Sequence, residues 1–248
     1  MKTERENEEF YIGWLPLMPS RLAAFVRRVT IALLLTAALT AVMLVFGQHR
    51  FPAAFFEFGR ERQFEGTLSL QPYPALISSQ QTRYTLVGAG KHGAGQALTG
   101  FDQQQVSLRG TLIYRDGLTM IEVTPGSVVA IKAAPTAIPP AVEDFGTQTL
   151  TGEIVDSKCW AGVMNPGNTK VHRECAVRCI SGGIPPMLVM HDAAGRTAAL
   201  LLVSASGQPV NQDVLDFVAE PVTITGQVIK EGSQLFLRAD PQTIRRVP

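Results

Sequence analysis

All three cysteines of this chain fall within residues 156–186, together with one of its four histidines. Thiolate sulfur and imidazole nitrogen can act as nucleophiles, as redox groups or as ligands for soft and borderline metal ions. The spacing predicts a short helix that Thr169 caps and that closes at Gly182-Gly183, ahead of the helix-stopping Pro185-Pro186. On that helix His172, Cys175 and Cys179 fall at i, i+3 and i+7, on one face. Cys159 arrives from the segment that leads in. Asp156, three residues before Cys159, reads as a cap for the loop or as a group that orients a ligand.

Three chemistries fit these residues. A disulfide from Cys159 to Cys175 or Cys179 would staple a long insertion and leave one thiol over, the usual employment of cysteine in small extracytoplasmic domains. A metal site with Cys159, His172, Cys175 and Cys179 as ligands suits zinc or, with Met164 or Met187 nearby, cuprous copper. Its H-x2-C-x3-C spacing is not among the common zinc patterns. A redox-active or metal-delivering thiol would have one cysteine attack and another resolve. Neither C-x-x-C nor the C-x-x-C-H signature of haem attachment is present.

The elements that must position these groups come in two similar sets. V-S-L-R-G-T-L-I-Y-R-D-G from Val106 matches V-T-I-T-G-Q-V-I-K-E-G from Val222 at an offset of 116, each copy an alternating strand that turns at Asp116-Gly117 or Glu231-Gly232. Each set also begins with an alternating strand that carries a glycine, Gly66 or Gly152. Further strands are expected at residues 83–87, 187–190 and 197–203, with a short helix at 210–218. Five short strands with a helix before the last pair outline an OB-type barrel, and two in tandem fit the length. From Gly66 to Gly110 is 44 positions and from Gly152 to Gly226 is 74, so the second set holds a surplus of 30, about the size of the cysteine segment. Because only one of two similar barrels carries this insertion, it implies a local task rather than general barrel stability.

Residues 29–47 form an uncharged apolar run of 19 residues, long enough at 1.5 Å per residue for the hydrocarbon core of a bilayer. Arg27-Arg28 stand close before it, and Glu57 and Glu61 dilute the positive charge beyond it, which favours a short inner N-terminus and a bulk outside. The run is long for a cleaved signal peptide and no A-x-A-like site follows closely, so it reads as an uncleaved anchor. Tyr11 and Trp14 before it, and Phe51, Phe55, Phe56 and Phe58 after it, are candidates for interfacial aromatic belts.

The remaining signals are mostly exclusions. A formal net charge of +1 gives no electrostatic footprint for nucleic acid. Gly88-Ala89-Gly90-Lys91-His92-Gly93 satisfies G-x-G-x-x-G after a strand, but no amphipathic helix follows and no Ser or Thr follows Lys91. It reads as a flexible barrel loop whose Lys91 and His92 at most bind an anion or a partner surface. His191-Asp192 reads as a turn. No serine triad, paired carboxylate set or H-E-x-x-H is visible, which argues against a hydrolase.

With Asp156-x-x-Cys159, His172, Cys175-Ala176-x-x-Cys179 and Gly182-Gly183-x-Pro185, the second half resembles a family of small exported bacterial OB-like domains with a D-x-x-C…H…C-x-x-x-C pattern. The resemblance covers about residues 148–247; it implies an extracytoplasmic address and assigns no activity. A single anchor followed by an exported OB barrel is also similar to the haem chaperones of cytochrome c maturation. The chain departs from these by lacking their histidine-and-tyrosine attachment motif near a barrel C-terminus, so this likeness carries no expectation of haem.

The expected architecture is mainly β with one transmembrane helix. It comprises a cytoplasmic segment 1–28, the helix 29–47, a juxtamembrane collar 48–63, a first barrel 64–132, a Pro/Ala linker 133–146 and a second barrel 147–248 whose helical insertion is 156–186. The expected function is that of a non-enzymatic accessory or assembly subunit of a membrane redox complex, held at the outer face of the inner membrane with the bulk in the periplasm and with a protein partner there. The alternative is a zinc- or copper-binding or thiol-redox protein that works through the Cys/His cluster.

Overall fold

The computed structural model describes residues 18–47, 54–132, 141–192 and 195–247. The chain divides into two units, residues 1–51 and 52–248. In the first unit, helix α1 (Ser20–Gly47) has 28 residues and a mean hydropathy of 2.5 over its most apolar window, long and apolar enough to cross a membrane. The Thr36 and Thr40 hydroxyls donate to the Ala32 and Thr36 carbonyls at 2.9 Å each, so these two carry no unmet donor along an apolar helix. The helix starts at Ser20 rather than at residue 29. The apolar run marks the part of hydrocarbon length, whereas backbone hydrogen bonding continues through the arginine-bearing turns before it. Tyr11, Trp14 and Phe51 lie outside the described residues.

In the second unit, β2 (Arg62–Ser69), β3 (Ala75–Ile77), β4 (Arg83–Val87), β5 (Gln105–Arg115) and β6 (Leu118–Val123) close into a barrel. β2 pairs antiparallel with β3 and β5, and β3 with β4; β6 closes the ring, antiparallel to β5 and parallel to β4. The strands β1 (Phe55–Phe56) and β7 (Val129–Ala130) add to β5. Residues 55–56, expected in a membrane collar, therefore belong in part to the sheet.

The second barrel repeats this topology with β8 (Val142–Asp156), β9 (Pro186–His191), β10 (Thr197–Val203), β11 (Pro221–Glu231) and β12 (Gln234–Arg238), while β13 (Arg245–Arg246) adds to β11. Its one parallel pair is again third strand to fifth, β10 with β12. β5 and β11 start 116 residues apart, as do β6 and β12, the offset that the internal repeat predicts. The paired glycines have a steric reason. A Cβ on Gly66 or Gly152 would stand 2.4 Å from the carbonyl oxygen of Ile77 or Val189, and one on Gly110 or Gly226 would stand 2.5 Å from that of Glu122 or Arg238. Both barrels bend where only a hydrogen fits.

Three boundaries differ from expectation. β8 begins at Val142, inside the expected linker, because its first half pairs with β11 out to Glu231; residues 133–140 lie outside the described set. The helix expected at 210–218 is a single turn, Leu215–Phe217. Val210, Val214 and Val218 are buried there, but nine residues rich in β-branched side chains are too few to hold a regular helix. Thr169 makes no side-chain cap; a tight turn, Lys170–His172, leads into helix α2 (Arg173–Ser181), with His172 at the N-cap position.

Leu68, Leu76, Leu86 and Leu108 fill the first barrel, and Ile154, Leu188, Ile224 and Leu237 the second. A third apolar cluster joins them: Val87, Ile113 and Met120 from the first barrel with Trp160, Met187, Ile229 and Phe236 from the second. Tyr73 donates to the Leu202 carbonyl at 2.7 Å and accepts from the Val210 N–H at 3.3 Å, bridging the same two barrels. The insertion is wedged into this contact. Trp160 is wholly buried, the Arg115 guanidinium lies 4.2 Å from its ring centre and donates to its carbonyl at 3.0 Å, and Gly162 packs on the Phe55 backbone where a Cβ would stand at 2.7 Å. Trp160→Ala is expected to cost about 3–5 kcal/mol through the cavity left between the barrels. Denaturant unfolding of residues 52–248 measures this, and a loss below about 1 kcal/mol would show that Trp160 does not fasten the insertion.

Candidate metal and thiol site

Asp156, the last residue of β8, is wholly buried and holds two parts of the site at once. One carboxylate oxygen accepts from the Cys159 N–H at 2.8 Å, and the other lies 3.0 Å from His172 Nε2. Since a carboxylate accepts, Nε2 carries the hydrogen, and in the neutral ring Nδ1 would then offer the lone pair, the arrangement that second-sphere carboxylates impose on metal-binding histidines. Asp156 thus caps the loop, one of the two roles read for it in the sequence, and holds the His172 imidazole.

Cys159 begins a wide helical turn, Cys159–Val163, while Cys175 and Cys179 stand one turn apart on α2. The ligand atoms of Cys159, His172 and Cys175 lie within 4.8 Å of one another, and so do those of Asp156, Cys159 and Cys179. The two groups share Cys159, which thus lies within reach of His172 and Cys175 on one side and of Cys179 on the other. Around a tetrahedral zinc, with Zn–S about 2.3 Å and Zn–N about 2.0 Å, donor atoms stand roughly 3.5–3.8 Å apart. Within each group of three the donors would need to close by about 1.3 Å at most, whereas the four candidate ligands do not form one group at that distance. All three cysteines are free thiols, and the bridge from Cys159 to Cys175 or Cys179 is not formed in the structure. Of the two methionines considered, Met187 is buried in the apolar cluster that includes Cys159 and Cys179, and Met164 is 46% exposed.

The thiols are electrostatically unequal. Cys159 is pushed far above the usual thiol range by its S–H bond to Cys179, by burial and by the Asp156 charge. Cys179 is lowered because it accepts that bond; burial and Asp156 oppose the shift, and Lys91 and Cys175 assist it.

The helix that carries Cys175 and Cys179 is tied at both ends by the second barrel. Arg173 pairs with Glu220, which also takes Arg246, and the Asn211 amide donates to the carbonyls of Ile180 and Ile184 at 2.8 and 2.9 Å. The 88–93 loop of the first barrel covers the other side, and it is the part that sequence reasoning missed. Lys91 Nζ donates to Cys175 Sγ at 2.8 Å, and that bond raises the Lys91 pKa. Gly93 N–H donates to Gly182 O at 2.9 Å, and a Cβ on Gly182 would stand 2.1 Å from Lys91 O. The Gly88 and Gly90 carbonyls accept from Lys158 Nζ at 2.8 Å each, and Glu122 pairs with the same ammonium. The glycine-rich loop thus cradles a lysine of this chain with its carbonyls, whereas a dinucleotide loop would offer N–H groups to a phosphate.

His191 lies 3.1 Å from Thr197 Oγ1, while Asp192 accepts from Arg196 N and Nε at 2.8 and 2.6 Å, a turn as expected. Neither a protein-family model nor a curated protein matches the chain. Cys159 and Cys179 are 4% and 1% exposed and Cys175 is half-buried. Native alkylation should therefore label Cys175 first, with Cys159 and Cys179 reacting at least about tenfold more slowly until denaturant is added. Peptide mapping of the labelled chain measures this, and equal rates at all three would contradict the burial order.

Proposed function

We propose that this chain is a membrane-tethered metal-binding protein whose centre is Cys159, His172, Cys175 and Cys179. The observation that carries the reading is the approach of the His172 imidazole to the Cys159 and Cys175 thiols within 4.8 Å, with Cys179 equally near Cys159 and the Asp156 carboxylate behind the imidazole. Three sulfurs and one nitrogen suit zinc, and with fewer ligands engaged they suit cuprous copper. Helix α1 would hold the centre at a membrane surface, and the Arg27-Arg28 flank favours the outer, periplasmic side of an inner membrane. In that place the protein would serve a membrane redox complex as an accessory or assembly subunit rather than as an enzyme.

A second reading, thiol redox chemistry, is favoured by the nearness of Cys159 to both Cys175 and Cys179, within 4.8 Å of each. A dithiol poised in this way would be oxidised to a disulfide by a partner dithiol–disulfide protein, losing two electrons and two protons to it.

Elemental analysis paired with thiol counting separates the two. Under the metal reading the reconstituted full chain holds about one zinc or copper per molecule with three titratable thiols after chelation. Cys179→Ser removes the metal, and Asp156→Asn weakens binding about 10- to 100-fold. A chain isolated with one thiol and no metal, and unable to take up either ion after reduction, would sink the metal reading and leave the disulfide.

A further inference from the structure

We infer that the metal site is shared between the barrels, with Lys91 of the first barrel as the positioning residue that closes it over Cys175 and sets how readily the metal is captured and released. This inference rests on the metal reading given above. Burial among the four ligands is uneven: Cys159, His172 and Cys179 are at most 4% exposed, whereas Cys175 is half-buried. Solvent reaches the centre on the Cys175 side, and Lys91, an exposed lysine, stands there with its ammonium 2.8 Å from the sulfur.

The backbone behind Lys91 has little freedom. Lys158 holds the carbonyls of Gly88 and Gly90, the Gly93 N–H is bonded to Gly182 O, and Lys91 O rests against Gly182. The loop therefore does not open as a lid; only the Lys91 side chain is free to swing.

Charge gives Lys91 its effect. A divalent ion with three thiolates and a neutral imidazole carries one net negative charge, the buried Asp156 carboxylate behind the imidazole adds a second, and the Lys91 ammonium offsets one of the two. Without that ammonium the centre is an uncompensated anion in a mostly buried setting, which disfavours loading. The arrangement also defines the acceptor class, an incoming thiolate. Such a group is drawn toward Lys91 and takes the place of Cys175, which leaves as a thiolate paired with the ammonium. One metal–sulfur bond forms as one breaks, and no electron changes hands. The cargo is exchanged at Cys175, while Cys159, Cys179 and His172 retain it until transfer.

Zinc titration of the full chain in detergent, against a competing chelator, tests this. Lys91→Met should weaken zinc binding about 10- to 100-fold and speed zinc release to an added thiolate chelator, while Lys91→Arg should stay within about threefold of the parent. The thermal midpoints of the metal-free forms should agree, which separates a role in binding from one in folding. A Lys91→Met protein that binds and releases zinc within twofold of the parent overturns the inference and leaves the metal site standing. So does a Lys91→Arg protein as weak as the Met variant. A parent chain that binds no zinc removes the metal reading itself, and the inference with it.

Discussion

The ammonium of Lys158 is the constraint on which the arrangement of this molecule depends. It is buried, and an ammonium taken out of water without acceptors is severely penalised, so the chain must bring acceptors to it. The carbonyls of Gly88 and Gly90 and the carboxylate of Glu122 do so, all three from the first barrel. Apolar contact alone tolerates sliding, whereas three directed acceptors around one nitrogen do not. Lys158 lies between Asp156 and Cys159, so fixing its ammonium fixes the start of the site against the other barrel.

Most of the attraction between the barrels comes from elsewhere. Trp160, Phe236, Met120 and Ile113 belong to the shared apolar cluster, and Arg115 stacks on the Trp160 ring while bonding to its carbonyl. Burial of this surface holds the halves together without orienting them. Orientation is left to the polar contacts at its margin: Lys158 in the glycine loop, Tyr73 on Leu202, and Gly93 on Gly182. The division explains how two barrels of one topology make a single thiol site. The insertion belongs to the second barrel by sequence, yet it is packed and capped by the first.

Within that frame the four candidate ligands are graded from inside to outside. Asp156 lies deepest and aims His172; Cys159 and Cys179 lie within 4.8 Å of each other; Cys175 faces the edge, with Lys91 upon it. A charge placed on any sulfur is felt by its neighbours, so the thiols act as one unit rather than as three independent groups. The same coupling would serve either of the proposed chemistries, metal binding or dithiol oxidation.

The sequence by itself determined whatever is repeated or periodic. The uncharged run of 19 residues marked α1, two hairpins at an offset of 116 marked the barrels, and the surplus of 30 positions marked the insertion. The candidate thiol and imidazole set was legible too, because His172, Cys175 and Cys179 are neighbours along one short stretch and Cys159 was the only other thiol. The turn at Leu215–Phe217 in place of a helix, and the strand that begins at Val142, were settled by packing against partners that local pattern does not reveal. Lys91 was hidden for the same reason on a larger scale. It stands 84 positions from Cys175, in a glycine-rich loop that resembles a phosphate cradle. Side-chain periods report which residues share a face of one element, but not which face of another element will be docked there. Only the tertiary structure, by burying Lys158 and Trp160 between the barrels, decided that the loop serves the thiols.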